Sequence, residues 1–428
     1  MEDPVLLSEL RRTLAARGVL NSAQLQQALA RSQPTVSRLL SALAGEVLTL
    51  GQGRSTRYAL PQPLRGLPAR QPLHWIDEAG QARRWGELSH IAGGRLHVQA
   101  EGVDLLSTGT LPWFLVPLQA EGFLGRALAR RLAALGLPDS PERWSLEDVL
   151  FAALHTPDAP GALVLGEWRA PDLPACDLDT LAATTAATLP AGSSAGGEQA
   201  KFLARDSDGS DGHPLLVKFS PPRGTPFGER WHDLLHAEHL ALALLSEHDV
   251  PVAESKLLHT ATRTGLASRR FDRVGRFGRR HAVPLWAAHE AFVHGPRQHW
   301  GASCEALERQ RRLPPGSAAQ ARALFQFGRL IGNTDMHFGN LSLFVDAADL
   351  PRGRFTLAPL YDMLPMRWRP DPSSGELGLL AFTPDPADLH SASAPLAIEF
   401  WGRLSAQGDV SRGMRQLAAS QRRLLGAS

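Results

Sequence analysis

The sequence predicts an α+β chain: a small head of three helices and a β-hairpin, then a larger two-lobed body in which strands precede helices. Three observations carry this. Apolar residues recur at helical spacing three times within residues 1–60 and then give way to two short β-type runs. Between about 190 and 365 the motif-bearing segments come as strands first and helices afterwards. At 428 residues the chain is too long for one core, which favours two or three domains.

In the head, Leu6–Leu14 shows apolar positions at helical spacing and stops before Gly18. Asn21-Ser22 can cap a second helix over Ala23–Ala30. Ser32 with Pro34 opens a third, with Val36, Leu39, Leu40 and Leu43 on its inner face. Val47–Leu50 and Thr56–Leu60 read as strands joined by Gly51-Gln52-Gly53-Arg54-Ser55. Three helices and a hairpin make a winged helix-turn-helix over residues 1–60. Gln33, Thr35, Ser37 and Arg38 fall on the exposed face of its third helix, and Arg54 and Arg57 in the wing, where base edges and phosphates are read. Seven arginines against four acids in this stretch favour DNA; the alternative is a small helical domain for protein contacts or dimerisation.

Pro61–Pro72 is rich in Pro and Arg and reads as a linker. The expected division is therefore a head at 1–60, a linker at 61–73, a β-rich lobe at 74–268 and a mostly helical lobe at 269–428. From His74 to about Leu165, β-like pieces such as Arg95–Gln99 mix with helical ones such as Gly122–Leu135, and no chemical constellation is visible.

Composition narrows the function classes. A formal net charge of +2 means that any nucleic-acid contact must come from a local patch. Apolar runs such as Trp113–Leu118 fall far short of the ~20 residues that span a bilayer. Met1-Glu2-Asp3-Pro4 lacks the basic-then-apolar pattern of a signal peptide, so the expectation is cytoplasmic, without membrane contact. Cys176 and Cys304 stand far apart, which excludes a disulfide framework and a cysteine zinc site. Only three of the 45 basic residues are lysines: Lys201, Lys218 and Lys256. A lysine retained against such a bias points to a place that needs a compact ammonium, for instance on a phosphate.

The chemistry concentrates late in the chain. Asp335-Met336-His337-Phe338-Gly339-Asn340 precedes the β-run Leu341–Val345, and an Asp followed five residues later by Asn is the spacing of a kinase catalytic loop. There the Asp orients the hydroxyl proton and the Asn ligates Mg²⁺. Twenty-two residues past Asn340 comes Tyr361-Asp362, a second carboxylate at a strand end that can hold the metal. Upstream, Ser193–Lys201 is a small-residue loop whose backbone N–H groups can approach phosphates, though it is not a Walker A loop. Seventeen residues after Lys201, Leu215–Phe219 is a strand pattern with Lys218 inside it, and such a lysine pairs nucleotide phosphates in protein kinases. Glu238, in the helix expected over Asp233–Ser246, is its candidate partner. Each part alone has a plain reading, a flexible hairpin or a solvent lysine; four parts in kinase order are harder to dismiss.

These segments, together with Arg269-Arg270-Phe271-Asp272-Arg273 and Leu357–Asp362, resemble the HipA family of bacterial serine/threonine kinase toxins, and within it the YjjJ-type branch with its own N-terminal helix-turn-helix. The resemblance covers about residues 75–425 and is clearest from 190 to 365. It implies a two-lobed protein-kinase-like fold binding ATP and Mg²⁺ in its cleft. Asp335 would be the catalytic aspartate, Asn340 and Asp362 the Mg²⁺ ligands, and Lys218 a phosphate contact. Gly196, Gly197, Glu198, Gln199, Ala200 and Lys201 would form the phosphate loop, Arg269, Arg270 and Phe271 the adenine-side hinge, with His337 and Tyr361 beside the nucleotide. Family members silence themselves by autophosphorylating a serine before the phosphate loop, here Ser194 or Ser193. Their known substrates are aminoacyl-tRNA synthetases. An antitoxin protein and a homodimer complete the candidate partners, with DNA at the head.

Two rival readings are a transcriptional regulator whose kinase fold senses nucleotide, and a lipid or small-molecule kinase. Asp335, which a pure sensor does not need, and the winged helix count against them in turn. His232, His236 and His239 fall at i, i+4 and i+7 and suggest either a metal site or an ordinary histidine face. The Arg269–Arg280 run reads as a nucleic-acid contact or a solvated hairpin, and Cys304 as structural.

Overall fold

A computed structural model describes residues 3–156, 158–187, 199–206, 212–371 and 382–427, and the structural statements below concern these residues. The head comprises α1 (Pro4–Arg17), β1 (Leu20–Asn21), α2 (Ser22–Leu29), α3 (Gln33–Ala42), β2 (Leu48–Leu50) and β3 (Arg57–Ala59). Local chemistry sets the helix ends. Asp3 accepts from the Val5 N–H at 2.9 Å, and Asn21 and Gln24 form a reciprocal capping box. Leu10, Leu14, Leu25, Leu29, Val36 and Leu39 interlock the three helices.

The expected linker at 61–73 is not one. Gln62 donates to the His90 carbonyl at 2.8 Å, Pro61 bridges to Ile91, and Leu64 is buried. A strand, β4 (Arg70–Ile76), begins inside the segment. Leu48, Leu50 and Ala59 of the head share a small core with Ile91. The hairpin's apolar face needs a neighbour to exclude water, and the next sheet supplies it.

The expected β-rich lobe is two sheets. β4 joins β5 (Ala82–Ile91), β6 (Arg95–Ala100), β7 (Val103–Thr108) and β8 (Leu163–Leu165) in the order β7-β6-β5-β4-β8, accompanied by α4 (Gly122–Leu132) and α5 (Leu146–Leu154). After α6 (Leu178–Ala187), a second antiparallel sheet contains β9 (Lys201–Arg205), β10 (Pro214–Phe219), β11 (Ser255–His259) and β12 (Thr264–Arg269), ordered β11-β12-β10-β9. The helix α7 (Pro226–Glu247) packs on this sheet, with Glu238 buried on its inner side.

The rest is mostly helical. A hairpin of β13 (Arg273–Val274) and β14 (Gly278–Arg279) leads to a small sheet of β15 (Ala282–Pro284), β16 (Ser342–Phe344) and β17 (Thr356–Leu357). Around it lie α8 (Leu285–Phe292), α9 (Trp300–Arg309), α10 (Ser317–Leu330), α11 (Pro386–Leu389), α12 (Ala394–Ala406) and α13 (Arg412–Gly426). The large buried rings Trp300, Trp368, Phe400 and Trp401 fill this part. Among the described residues no helix is long and apolar enough to cross a membrane.

Candidate active site

The site starts from strand register. β9 and β10 pair so that Lys201 and Lys218 are Cα partners, which puts both lysines on one face of the sheet. Lys218 is 4% exposed; its Nζ lies 2.5 Å from Glu238 Oε1 and also pairs with Asp362 Oδ1. Burial alone would lower the Lys218 pKa. The carboxylates of Asp362 and Glu238 outweigh it and hold the ammonium above the usual lysine range. Burial likewise opposes ionisation of Asp362, but Lys218 and Lys201 keep its carboxyl below the usual range. Glu238, the more deeply buried acid, is pushed up by burial.

Asp362 has φ +54°, the left-handed region that side chains other than glycine seldom occupy. The conformation persists because the Asn333 side-chain amide donates to the Asp362 carbonyl at 3.1 Å. Asn333 also accepts the Asp335 N–H at 2.9 Å, so one buried asparagine ties together the two acidic segments.

The 333–340 loop follows α10 and is closed on itself. Asn340 donates from Nδ2 to the Asp335 carbonyl at 2.7 Å, and Gly339 donates to His337 Nδ1 at 3.0 Å. The second bond leaves the His337 proton on Nε2, which sits 3.5 Å from Asp335 Oδ1. Trp300 donates to the His337 carbonyl at 3.1 Å, and the Tyr361 hydroxyl to the Gly339 carbonyl at 2.7 Å. A frame of hydrogen bonds thus presents Asp335, whose side chain is 50% exposed, and Asn333 ties it to the Asp362 segment that meets Lys218. Asn340, with Nδ2 spent on the loop, keeps Oδ1 as an acceptor; with the Asp362 carboxylate it makes an all-oxygen donor set, the chemistry that suits Mg²⁺.

Phe271 stacks on Tyr361 with ring centroids 5.3 Å apart, which joins the expected hinge to the Asp362 segment. The two hinge arginines point elsewhere. Arg269 pairs with Glu254 at 3.1 Å, and Arg270 is buried between Asp158 and Asp272. The Arg270 guanidinium is thus taken up by buried acids, while that of Arg269 stays half exposed. Arg273 joins the same buried network, 2.6 Å from Asp272 and 2.8 Å from Asp158, while Arg279 lies over Trp168. Within the 269–280 run, Arg270, Arg273 and Arg279 are buried near Asp158 and Asp272 rather than solvated, whereas Arg269 and Arg276 are exposed.

Other expected residues sort as follows. Gln199 and Ala200 lead into β9, whereas Ser193, Ser194, Gly196, Gly197 and Glu198 lie outside the described residues. Gln33, Ser37, Arg38, Arg54 and Arg57 are exposed, and Thr35 is half-buried beside Ser32 at 3.1 Å. The histidine face is structural: His232 bonds Thr264 and the Asp409 carbonyl, and His239 bonds Ser255 at 3.0 Å. No group of metal-binding type stands out among the described residues. Asn333, Asp158 and Asp272 had been given no role. Asn333 stood inside a motif and was findable; Asp158 carries no local signal.

A lysine locked between two carboxylates, facing a closed Asp…Asn loop, places the chain in the class of HipA-like proteins. Residues 193–415 match the HipA-like C-terminal domain and residues 67–171 the YjjJ-like toxin middle domain. The chain belongs to the HipA family of toxins, in its YjjJ branch. It is 37% identical to Toxin YjjJ of Escherichia coli (strain K12), with 96% of each chain covered. Among solved structures it is similar to a chain from the Shewanella oneidensis MR-1 toxin–antitoxin complex of HipA, HipB and its operator DNA. The TM-score there is 0.54 at 16% identity, covering 83% of this chain and 96% of that one, a likeness of fold.

Proposed function

We propose that the chain is an ATP- and Mg²⁺-dependent serine/threonine protein kinase acting as a toxin, with residues 1–60 as a winged helix-turn-helix that binds DNA. The observation that carries the enzyme reading is the Lys218–Glu238–Asp362 cluster set beside the closed 335–340 loop. Lys218 offers a compact charge for nucleotide phosphates and Glu238 holds it in place. Asn340 and Asp362 would hold Mg²⁺, which supplies charge neutralisation on phosphate oxygens when bound. Asp335 accepts and orients the proton of the acceptor hydroxyl, and His337 steers its carboxylate. Most of the rate gain is then positioning. Phe271 and Tyr361 wall the adenine side, with recognition through the hinge main chain.

The protein substrate is an aminoacyl-tRNA synthetase in this reading, and an antitoxin is a partner, as HipB is for the Shewanella protein. Exposed Arg38, Arg54 and Arg57 support the DNA assignment of the head. The test is mass spectrometry of purified protein incubated with ATP and Mg²⁺. Phosphate on Ser193 or Ser194, absent from Asp335→Asn, is expected. An unmodified loop in a protein that binds ATP would instead make the fold a nucleotide sensor.

A further inference from the structure

At the far end of α9 from the catalytic loop is a surface cavity of about 620 Å³, lined by Arg309, Arg311, Arg312 and Arg354 around Leu313 and Phe355. Trp300, the first residue of α9, touches His337, so a 10-residue helix of about 15 Å separates the cavity from that loop. The lining holds one carboxylate, Glu308, whose Oε1 accepts the Ala318 N–H at 2.7 Å and which faces four arginines. Arg312 is largely committed to the protein: it lies 3.8 Å over Phe292, bonds Gln310 Oε1 at 3.0 Å and donates to the Arg352 and Gly353 carbonyls, so the free charge comes from Arg309, Arg311 and Arg354. Arg309 has only a loose pair with Glu305 at 3.8 Å, and Arg311 and Arg354 have no side-chain partner among the described residues.

Arg311 is a second, independent observation. The Arg311 N–H bonds the Glu308 carbonyl at 2.7 Å and the Arg312 N–H the Leu307 carbonyl at 2.9 Å, which together close α9 as a Schellman motif. The left-handed position of that motif favours glycine, yet it holds Arg311 at φ +57°. Arg311 is thus an exposed cation held at a fixed helix end, lining the cavity and with no side-chain partner among the described residues.

We propose that this cleft is a second anion site that binds a nucleoside polyphosphate. Its guanidiniums would take the phosphates and the apolar floor, with Pro314 and Pro315, the base. The volume lies within the ~300–1,000 Å³ range of small-ligand pockets and suits one nucleotide. The same phosphate chemistry could come from the end of a nucleic-acid strand, so the test separates the two.

Full-length protein is titrated calorimetrically with ADP, inorganic tripolyphosphate and a short single-stranded oligonucleotide. Two ADP sites are expected, one lost in Lys218→Met and the other weakened at least tenfold in Arg311→Glu/Arg354→Glu. Tripolyphosphate should compete at the second site, and that competition should be lost in Arg311→Glu/Arg354→Glu. Arg311→Gly is the folding control: it relieves the left-handed strain, so it should unfold no earlier than wild type and still bind ADP more weakly at this site. A single ADP site that disappears in Lys218→Met would overturn the cleft proposal and leave the kinase reading standing. The converse, ADP binding insensitive to Lys218→Met but lost with the arginines, would uphold the cleft and sink the nucleotide role of Lys218. Arginine-dependent binding of the oligonucleotide alone would reject the nucleotide in favour of a nucleic-acid strand.

Discussion

Asn340 donates its side-chain amide to the main-chain carbonyl of Asp335 at 2.7 Å, so the residue at one end of the 335–340 loop sets the shape of the other. The bond explains why an amide is used there. An aspartate of the same size would turn a carboxylate toward the Asp335 carbonyl and repel it. Asn340→Asp should therefore lose transfer although it keeps an oxygen ligand. A phosphotransfer assay showing near-wild-type activity would remove the loop-closing role.

Binding and chemistry should separate at the two aspartates. Asp335 is half exposed and outside the lysine cluster, so Asp335→Asn should keep nucleotide affinity within a few-fold and abolish transfer. Asp362 touches Lys218, so Asp362→Asn should weaken Mg·ATP binding and transfer together. Nucleotide titrations and radiolabel transfer measured on both variants decide this.

Lys218 is the cation that pairs with two carboxylates in a buried place. Lys218→Met should lower stability by roughly 3–5 kcal/mol, the cost of leaving buried charge unpaired. Adding Glu238→Gln to it should restore part of the loss but no activity. Urea denaturation of the single and double variants provides the cycle.

The expected hinge depends on a residue from the connection between α5 and β8. Asp158 pairs with Arg270 and with Arg273 at 2.8 Å, and Asp158→Asn should cost about 3–5 kcal/mol of stability. Because Phe271 next to Arg270 stacks on Tyr361, the same change should raise KM for ATP more than it lowers kcat. Unaltered KM alongside reduced stability would make Asp158 purely structural.

Acid should unfold the protein through buried neutral histidines. Burial pushes the His281 pKa down to about 4, against an opposing pull from the Phe114 carbonyl and Asp272. The folded value lies below the unfolded one of about 6.5, so the unfolded chain binds more protons as pH falls. Stability is complete above about pH 6.5 and falls progressively towards pH 4, by a few kcal/mol for this residue. His281 accepts from the Ala162 N–H at 3.2 Å and donates to the Phe114 carbonyl at 2.9 Å, bonds a glutamine can imitate. His281→Gln should flatten the decline in denaturation midpoint between about pH 7 and pH 5.

The sequence by itself determined the parts whose signals are local. Capping residues, apolar periodicity and turn chemistry set the three helices and hairpin of the head. The spacing of Asp335, Asn340 and Asp362, with Lys218 inside a β-pattern, singled out residues that the fold brings into contact, Asp362 with Lys218 and Asn340 with the Asp335 carbonyl. Such signals survive in a linear reading because neighbouring residues cause the structure they announce. Tertiary structure alone decided what the long-range partners do. Residues 61–73 look like a linker by composition, yet they pack, because the apolar face of the head has only the β4–β5 region to bury it. The arginines of 269–280 look solvated, yet Asp158, more than a hundred positions away, draws Arg270 inside. His232 and His239 share a helix face fit for a metal, but Thr264 and Ser255 on the facing strands take their nitrogens instead. In each case the residue type is legible and its partner is not, since the partner is chosen by how the sheets and α7 pack rather than by anything nearby in the chain.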